Sequence, residues 1–255
     1  MKKFARITFH QKVIWVEVIS VNGEEYLYEI DGDIYGRYNL GKCVGPADQY
    51  AFSPPCSPSK IVGLAYNYLD LTEGKKISPL IFFKSKESII TSNNPIKIDR
   101  EISKIWAEVE LGIVVKNDLF KASSDEAKDS ILGYLVANDV TCENIDARDH
   151  HLAYSKSRLT FCPVSNFIVT DIDTSNLRLE TKINGLITQS SSTNMQYLNP
   201  IQSLVYISQH IPISKGDLII TGTPYGYHKS GLKPGDIINQ SIESVGDLKN
   251  TVETY

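Results

Sequence analysis

The stretch Trp106-Ala107-Glu108-Val109-Glu110-Leu111-Gly112-Ile113-Val114-Val115 decides how this chain is read. Ala107, Val109, Leu111, Ile113 and Val115 repeat with a period of two, the mark of a strand with an apolar face. Glu108 and Glu110 then share the other face, roughly 6.5 Å apart between Cα atoms, so one oxygen of each can reach a single cation. Carboxylates this close repel unless a positive charge sits between them or one binds a proton. A second apolar run, Ile131 to Ala137, ends in Asn138-Asp139-Val140, and an acid at the end of a buried strand points into a site. Three carboxylates without a nearby cysteine or paired histidine suit a hard, oxygen-seeking ion, Mg²⁺ or Mn²⁺ rather than Zn²⁺. Taken alone, Glu-x-Glu also fits the solvated face of a half-buried strand.

Around this stretch, 255 residues can bury a full core, and one large domain with a small appendage fits better than two equal halves. A net charge of -4, from 26 basic and 30 acidic residues, together with the lack of any basic run, argues against a nucleic-acid partner. Apolar runs fall far short of the ~20 residues that span a bilayer, and the N-terminus leads into an alternating pattern rather than a signal-peptide core. The expectation is a soluble, cytoplasmic protein with no membrane partner. Cys43, Cys56, Cys142 and Cys162 lack metal-ligand spacing and read as reduced, structural residues.

From Lys3 to about Leu40 the pattern predicts short strands at Ala5–His10, Val13–Ile19 and Tyr26–Ile30, with turns at Asn22-Gly23 and Asp31-Gly32. Such a meander buries little alone, so residues 1–56 are expected to form a small N-terminal β domain and linker, closed by the proline-rich Ser53–Pro58. Residues 57–255 form the main body. There, Lys60–Tyr68 opens with a strand and runs into a polar segment, Leu69–Ile77, that reads as helix or loop. Leu80–Lys84 is a strand ending in a lysine, which by itself also fits a snorkelling surface residue. Ser123–Ile131 has the pattern of a short capped helix, and Glu143–Ala153 that of a helix bearing Arg148, His150 and His151. Adjacent histidines on a helix diverge and make a poor metal pair. Strands follow at Asn166–Thr170, Leu177–Ile183 and, after an Asn184-Gly185 turn, Leu186–Gln189. Asn199-Pro200 starts a core-facing helix; Leu218–Ile220 and a last strand, Ile237–Ile242, complete the pattern.

Several separated pieces together resemble the fumarylacetoacetate hydrolase family. They are Gly63-Leu64-Ala65-Tyr66, Phe83-Lys84, Glu108-Val109-Glu110-Leu111, Asn138-Asp139-Val140, Lys156 with Thr160–Pro163, Asn184-Gly185 with Gln189, Thr221–Pro224 and Leu232–Asp236. The ordered set covers roughly residues 60 to 250. The resemblance implies an α+β fold, predominantly a mixed β roll, with a shallow site for Mg²⁺ or Mn²⁺ and a homodimeric assembly. Carried over residue by residue, it implies Glu108, Glu110 and Asp139 as metal ligands and Lys156 near the reacting centre. Lys84, Gln189, Thr223 and Tyr66 fall at substrate-side positions. Family members act on 2-oxo acids and their enols, and an ion with open positions can take the carboxylate and carbonyl oxygens of such an acid.

Two departures shape the functional reading. Where the family's hydrolases carry a lid His and, three residues on, a Glu that activate water, this chain has Leu69 and Thr72, with Glu73 one place late. Where the family has an Arg four residues after the metal-binding Asp, it has Glu143. Arg148 either replaces that charge or makes a surface ion pair. The expected activity is therefore isomerisation, tautomerisation or decarboxylation of a small 2-oxo or 2-hydroxy-dienoic (di)carboxylate through a metal-stabilised enolate. The alternatives are an acylpyruvate-type C–C hydrolase, with Glu73 as the remaining base, and a 2-oxo-acid binder without turnover.

Overall fold

The computed structural model describes residues 1–102 and 104–255. Its centre is the strand Val109–Val115, which lies antiparallel to Ile131–Asn138 on one side and to Leu218–Ile220 on the other. Leu218–Ile220 runs parallel to Ile61–Ala65, which pairs antiparallel with Leu80–Lys84. In the other direction Ile131–Asn138 meets Phe167–Val169, and the N-terminal strand Lys3–Phe9 pairs with that edge. The meander of Lys3–Phe9, Lys12–Val21, Glu24–Gly32 and Tyr38–Pro46 thereby extends a 13-stranded mixed sheet. A second sheet has five strands in the order Leu186–Ser192, Arg178–Ile183, Ile237–Ile242, Gly246–Thr254, Ile96–Ile98. Sheets dominate, a few helices cover them, and the fold is α+β as the pattern implied.

Alternation along Val109–Val115 works as its sequence predicts, but neither face is wet. Val109, Leu111, Ile113 and Val115 pack with Leu204 and Ile207 of the helix Pro200–His210. Val114, on the face of Glu110, joins a second core with Ile61, Phe82, Leu135 and Ile220. Glu108 and Glu110 are therefore buried, at 8 % and 1 % exposure, which removes the solvated-face reading.

Two of the three expected helices form and start as their sequences direct. The Ser124–Asp129 helix is closed by a reciprocal Ser123–Glu126 box and Pro200–His210 by an Asn199–Gln202 box with proline in the first turn. Asn22-Gly23 and Asn184-Gly185 turn with positive φ at both positions, which lets their hairpins twist correctly.

Elsewhere local chemistry overrides the pattern. No helix spans 143–153: a 3₁₀ turn, Ile145–Ala147, and a short helix, Ala153–Lys156, stand in its place. Asp146, Ala147 and Leu152 have positive φ. The cause is side-chain competition for the backbone. Asn144 Oδ1 accepts from the Asp149 N–H at 2.8 Å, and Asp149 Oδ2 accepts from the Ser155 N–H at 2.7 Å. Asp31-Gly32 lies within a strand, and the turn falls two residues later, closed by the Gly36 N–H donating to Asp33 O at 2.9 Å. Ile237–Ile242 is not the last strand; Gly246–Thr254 follows, burying Leu248, Asn250 and Val252. The polar segment after Tyr68 is a series of turns, with the Gly74 N–H bonded to Leu69 O at 2.7 Å.

Candidate metal and active site

The two central strands end side by side, and that brings the three acids together. The Asp139 N–H donates to Glu108 O at 2.9 Å and the Glu108 N–H to Asn138 Oδ1 at 3.0 Å, which pins the strand ends. One oxygen each from Glu108, Glu110 and Asp139 lies within 4.8 Å of the others. Among the described residues this is the one such cluster. Glu110 Oε2 accepts from the Gly222 N–H at 2.6 Å, and Glu108 Oε1 from the Trp106 indole N–H at 2.5 Å.

Two lysines stand against the acids. Lys84 is fully buried, with Nζ 2.5 Å from Asp139 Oδ1 and 3.1 Å from Val140 O, so it is no snorkelling surface residue. Lys156 Nζ bonds to Asp139 Oδ2, to Thr141 Oγ1 at 2.8 Å and to Glu108 Oε2 at 3.4 Å, above the Phe82 ring. Burial pushes Glu110 well above the usual carboxylate range, and the charges of Asp139 and Glu108 add to it. Burial also raises Glu108, with Lys156 pulling partly back. For Asp139 burial acts upward but is outweighed by Lys156 and Lys84, and its carboxyl falls below the ordinary value. Burial depresses Lys156, yet Asp139 and Glu108 outweigh it and hold the ammonium above its ordinary range.

Lys84 and Lys156 pair with Asp139 and Glu108, so among the described residues Glu110 is left with the Gly222 N–H as its donor and no cation of its own, which favours its protonated form. The three carboxylates together fit a hard divalent cation: oxygen ligands only, converging, and shielded from water.

Asp139 is buried behind Glu108 and Glu110, which open into a cavity of about 260 Å³. Glu108, Glu110, Lys156, Thr223 and Tyr66 line it, with Trp106, Phe82, Thr141, Asn144, Leu152 and Tyr227. Trp106 carries a readable signal, two positions before Glu108 on the same strand face; Tyr227 and Leu152 come from loops whose path no periodicity gives. Thr223 borders the cavity, but its hydroxyl accepts from Gln189 Nε2 at 3.0 Å and donates to Val109 O at 3.0 Å. Gln189 is buried behind it, its amide oxygen taken by the Val109 N–H and by Thr181 Oγ1. Lys84 lies beneath Asp139 and away from the cavity wall.

Two sequence-selected residues are placed elsewhere. The Glu73 side chain is 86 % exposed beside Lys75, and the Arg148 side chain, 73 % exposed, pairs with Asp146 at 2.9 Å. Arg148 thus makes the surface ion pair. At the lid positions, Thr72 is buried with its hydroxyl donating to Lys75 O at 2.7 Å, and Leu71 is the lid residue that meets the cavity. Cys142 also lines it, and burial pushes its thiol up to about 11. None of the four cysteines is in a disulfide, and Cys56, Cys142 and Cys162 are buried.

The family profile described as fumarylacetoacetate (FAA) hydrolase C-terminal matches residues 60–253, and the chain belongs to this family of enzymes. A solved relative, the 2-hydroxyhepta-2,4-diene-1,7-dioate isomerase from Mycobacterium marinum, is 30 % identical with a TM-score of 0.91, over 100 % of this chain and 99 % of its own. The mitochondrial oxaloacetate tautomerase of Rattus norvegicus is 30 % identical over 226 residues, 81 % of this chain and 71 % of its own. The 2,4-didehydro-3-deoxy-L-rhamnonate hydrolase of Sphingomonas sp. (strain SKA58) is 30 % identical over 211 residues, 77 % of this chain and 74 % of its own. Relatives thus include an isomerase, a tautomerase and a hydrolase. Among the described residues no helix is long and apolar enough to cross a membrane.

Proposed function

We propose that this chain is a Mg²⁺- or Mn²⁺-dependent enzyme that moves a proton, or releases CO₂, at the carbon next to the carbonyl of a small 2-oxo acid. The substrate class is a 2-oxo or 2-hydroxy-dienoic (di)carboxylate, and the reaction isomerisation, tautomerisation or decarboxylation. The observation that carries this reading is the buried cluster of Glu108, Glu110 and Asp139, backed by Lys84 and Lys156, beside a cavity whose wall, among the described residues, presents no histidine and no acid but Glu108 and Glu110.

Glu108, Glu110 and Asp139 would hold the ion, which when bound supplies a Lewis acid for the substrate carbonyl. Gly222 and Trp106 each fix one oxygen of a glutamate and so limit how the carboxylates can turn. Lys156, kept protonated by its neighbours, acts as a fixed positive charge toward an enolate rather than as a base. Two phenols stand on the wall, Tyr66 and Tyr227, and either can hand a proton to the substrate carbon. The same reading takes the enzyme as a cytoplasmic protein and, from the family resemblance, as a homodimer.

Hydrolysis of a C–C bond needs a base for water, and a positioned base contributes about 10²–10⁴ in rate. Glu73 faces solvent, and Thr72 spends its hydroxyl on the lid's own backbone. With Mg²⁺ and acetylpyruvate, ketonisation of the enol is therefore expected to exceed cleavage to pyruvate by at least about ten-fold in kcat/KM, roughly 1.4 kcal/mol in barrier. The two rates are read on one sample, cleavage from pyruvate release and ketonisation from the loss of enol absorbance in excess of that release. Cleavage faster than ketonisation would overturn the reading in favour of a hydrolase.

A further inference from the structure

We infer that the substrate is a monocarboxylate with an apolar tail, an inference that rests on the 2-oxo-acid reading above and narrows it to isomerisation or tautomerisation, since loss of CO₂ to an enolate needs a second carboxylate beside the carbonyl. A dicarboxylate carries a second anion away from the metal cluster, and a buried anion is tolerated only where a cation or several donors meet it. Among the described residues Lys156 is the one lysine or arginine on the cavity wall, and its ammonium is already bonded to Asp139, Thr141 and Glu108. Three further cations are engaged or face away. Lys84 is tied to Asp139 and Val140 beneath the floor, Arg148 pairs with Asp146 outside, and Lys75 lies beside Glu73 in solvent.

Beyond the acids, the apolar part of the wall is Leu71, Leu80, Phe82, Leu152 and Trp106. Of the polar side chains there, Thr141, Asn144, Ser155 and Thr223 already donate within the protein, to Asp139 O, Asp149 O, Asp149 Oδ2 and Val109 O, which leaves the phenols of Tyr66 and Tyr227. The five apolar residues decide the character of the tail end. They come from four separate parts of the chain, so the apolar end is no by-product of one hydrophobic run. At about 260 Å³ the cavity is just below the ~300–1,000 Å³ of pockets for drug-sized ligands, which suits a short chain. A methylene tail placed there loses water against carbon, whereas a terminal carboxylate loses water and meets no unengaged cation.

The test compares ligands of one length. With Mg²⁺ present, titration calorimetry is run with 2-oxohexanoate and 2-oxohexanedioate, six-carbon acids that end in a methyl or a carboxylate, and with oxalate as a tailless reference. Oxalate binding reports the head-group site alone. The expected result is that oxalate binds and 2-oxohexanoate binds at least about ten-fold more tightly than the diacid. Leu80→Lys then supplies the missing cation at a position already 57 % exposed, so the fold should bear it, and the preference should shrink or reverse. Oxalate binding with equal or tighter binding of the diacid to the wild type would overturn the apolar-tail inference and leave the head-group reading standing. No oxalate binding would remove that reading and this inference together.

Discussion

Glu110 bears the largest electrostatic load of any single residue in the site. It is 1 % exposed, with Asp139 and Glu108 as its charged neighbours and the Gly222 N–H as its donor. In the metal-free protein its raised pKa means that the folded state keeps a proton which the unfolded chain gives up above the ordinary value of 4.5. As pH rises beyond that value the unfolded state binds fewer protons, so this residue's contribution lowers stability progressively until its folded pKa is passed. Asp139 acts in the opposite sense: its lowered pKa gives stability above the ordinary value of 3.8 that is lost as pH falls. Glu110→Gln mimics the protonated form and can still accept from Gly222. Without metal, the variant is expected to melt near the wild type at pH 5 and above it at pH 8, followed by thermal unfolding in EDTA. A variant melting below the wild type at both pH values would contradict this account of the charge.

At the scale of elements, the site depends on how closely the Ile61–Ala65 strand approaches its neighbour Leu80–Lys84. A Cβ on Gly63 would lie 2.1 Å from the Phe82 ring, the ring that also borders the cavity under Lys156. Gly63→Ala is expected to cost about 1–3 kcal/mol by overpacking, measured by urea unfolding. Adding Phe82→Leu should recover part of that loss, because the two residues share one contact. Additive losses in the double variant would show that the strain arises elsewhere. Elements such as Val109–Val115 and Pro200–His210 were legible because one period or one capping pair dominates them. The 143–153 loop was not, because Asn144 and Asp149 bond to backbone five and six residues away and break a pattern that charge spacing alone suggests. Gly246–Thr254 was missed because its inward residues include Asn250, whose amide donates to Thr91 O and Asn94 O, a partnership no local window contains.

For the whole molecule, the sheet order explains why acids 31 residues apart, Glu108 and Asp139, meet: antiparallel neighbours place the start of one strand beside the end of the next. Family motifs made those acids and Lys156 readable. The cavity wall was less so, since Leu71, Leu152 and Tyr227 reach it from turns whose geometry depends on tertiary contacts. The charge balance gives the whole site one consistent behaviour. Without an ion, three acids and two lysines are neutral only with a proton held in place. With a divalent ion that proton must leave, and the site becomes net positive toward an anionic substrate.

The most direct test is titration calorimetry of the metal-free protein with MgCl₂ or MnCl₂ at pH 7, repeated in two buffers of different ionisation enthalpy. The account predicts one site per chain, a buffer-dependent heat that reports proton release, and loss of binding in Asp139→Asn. Absence of any saturable heat up to millimolar metal, or equal binding by the Asp139→Asn protein, would contradict it.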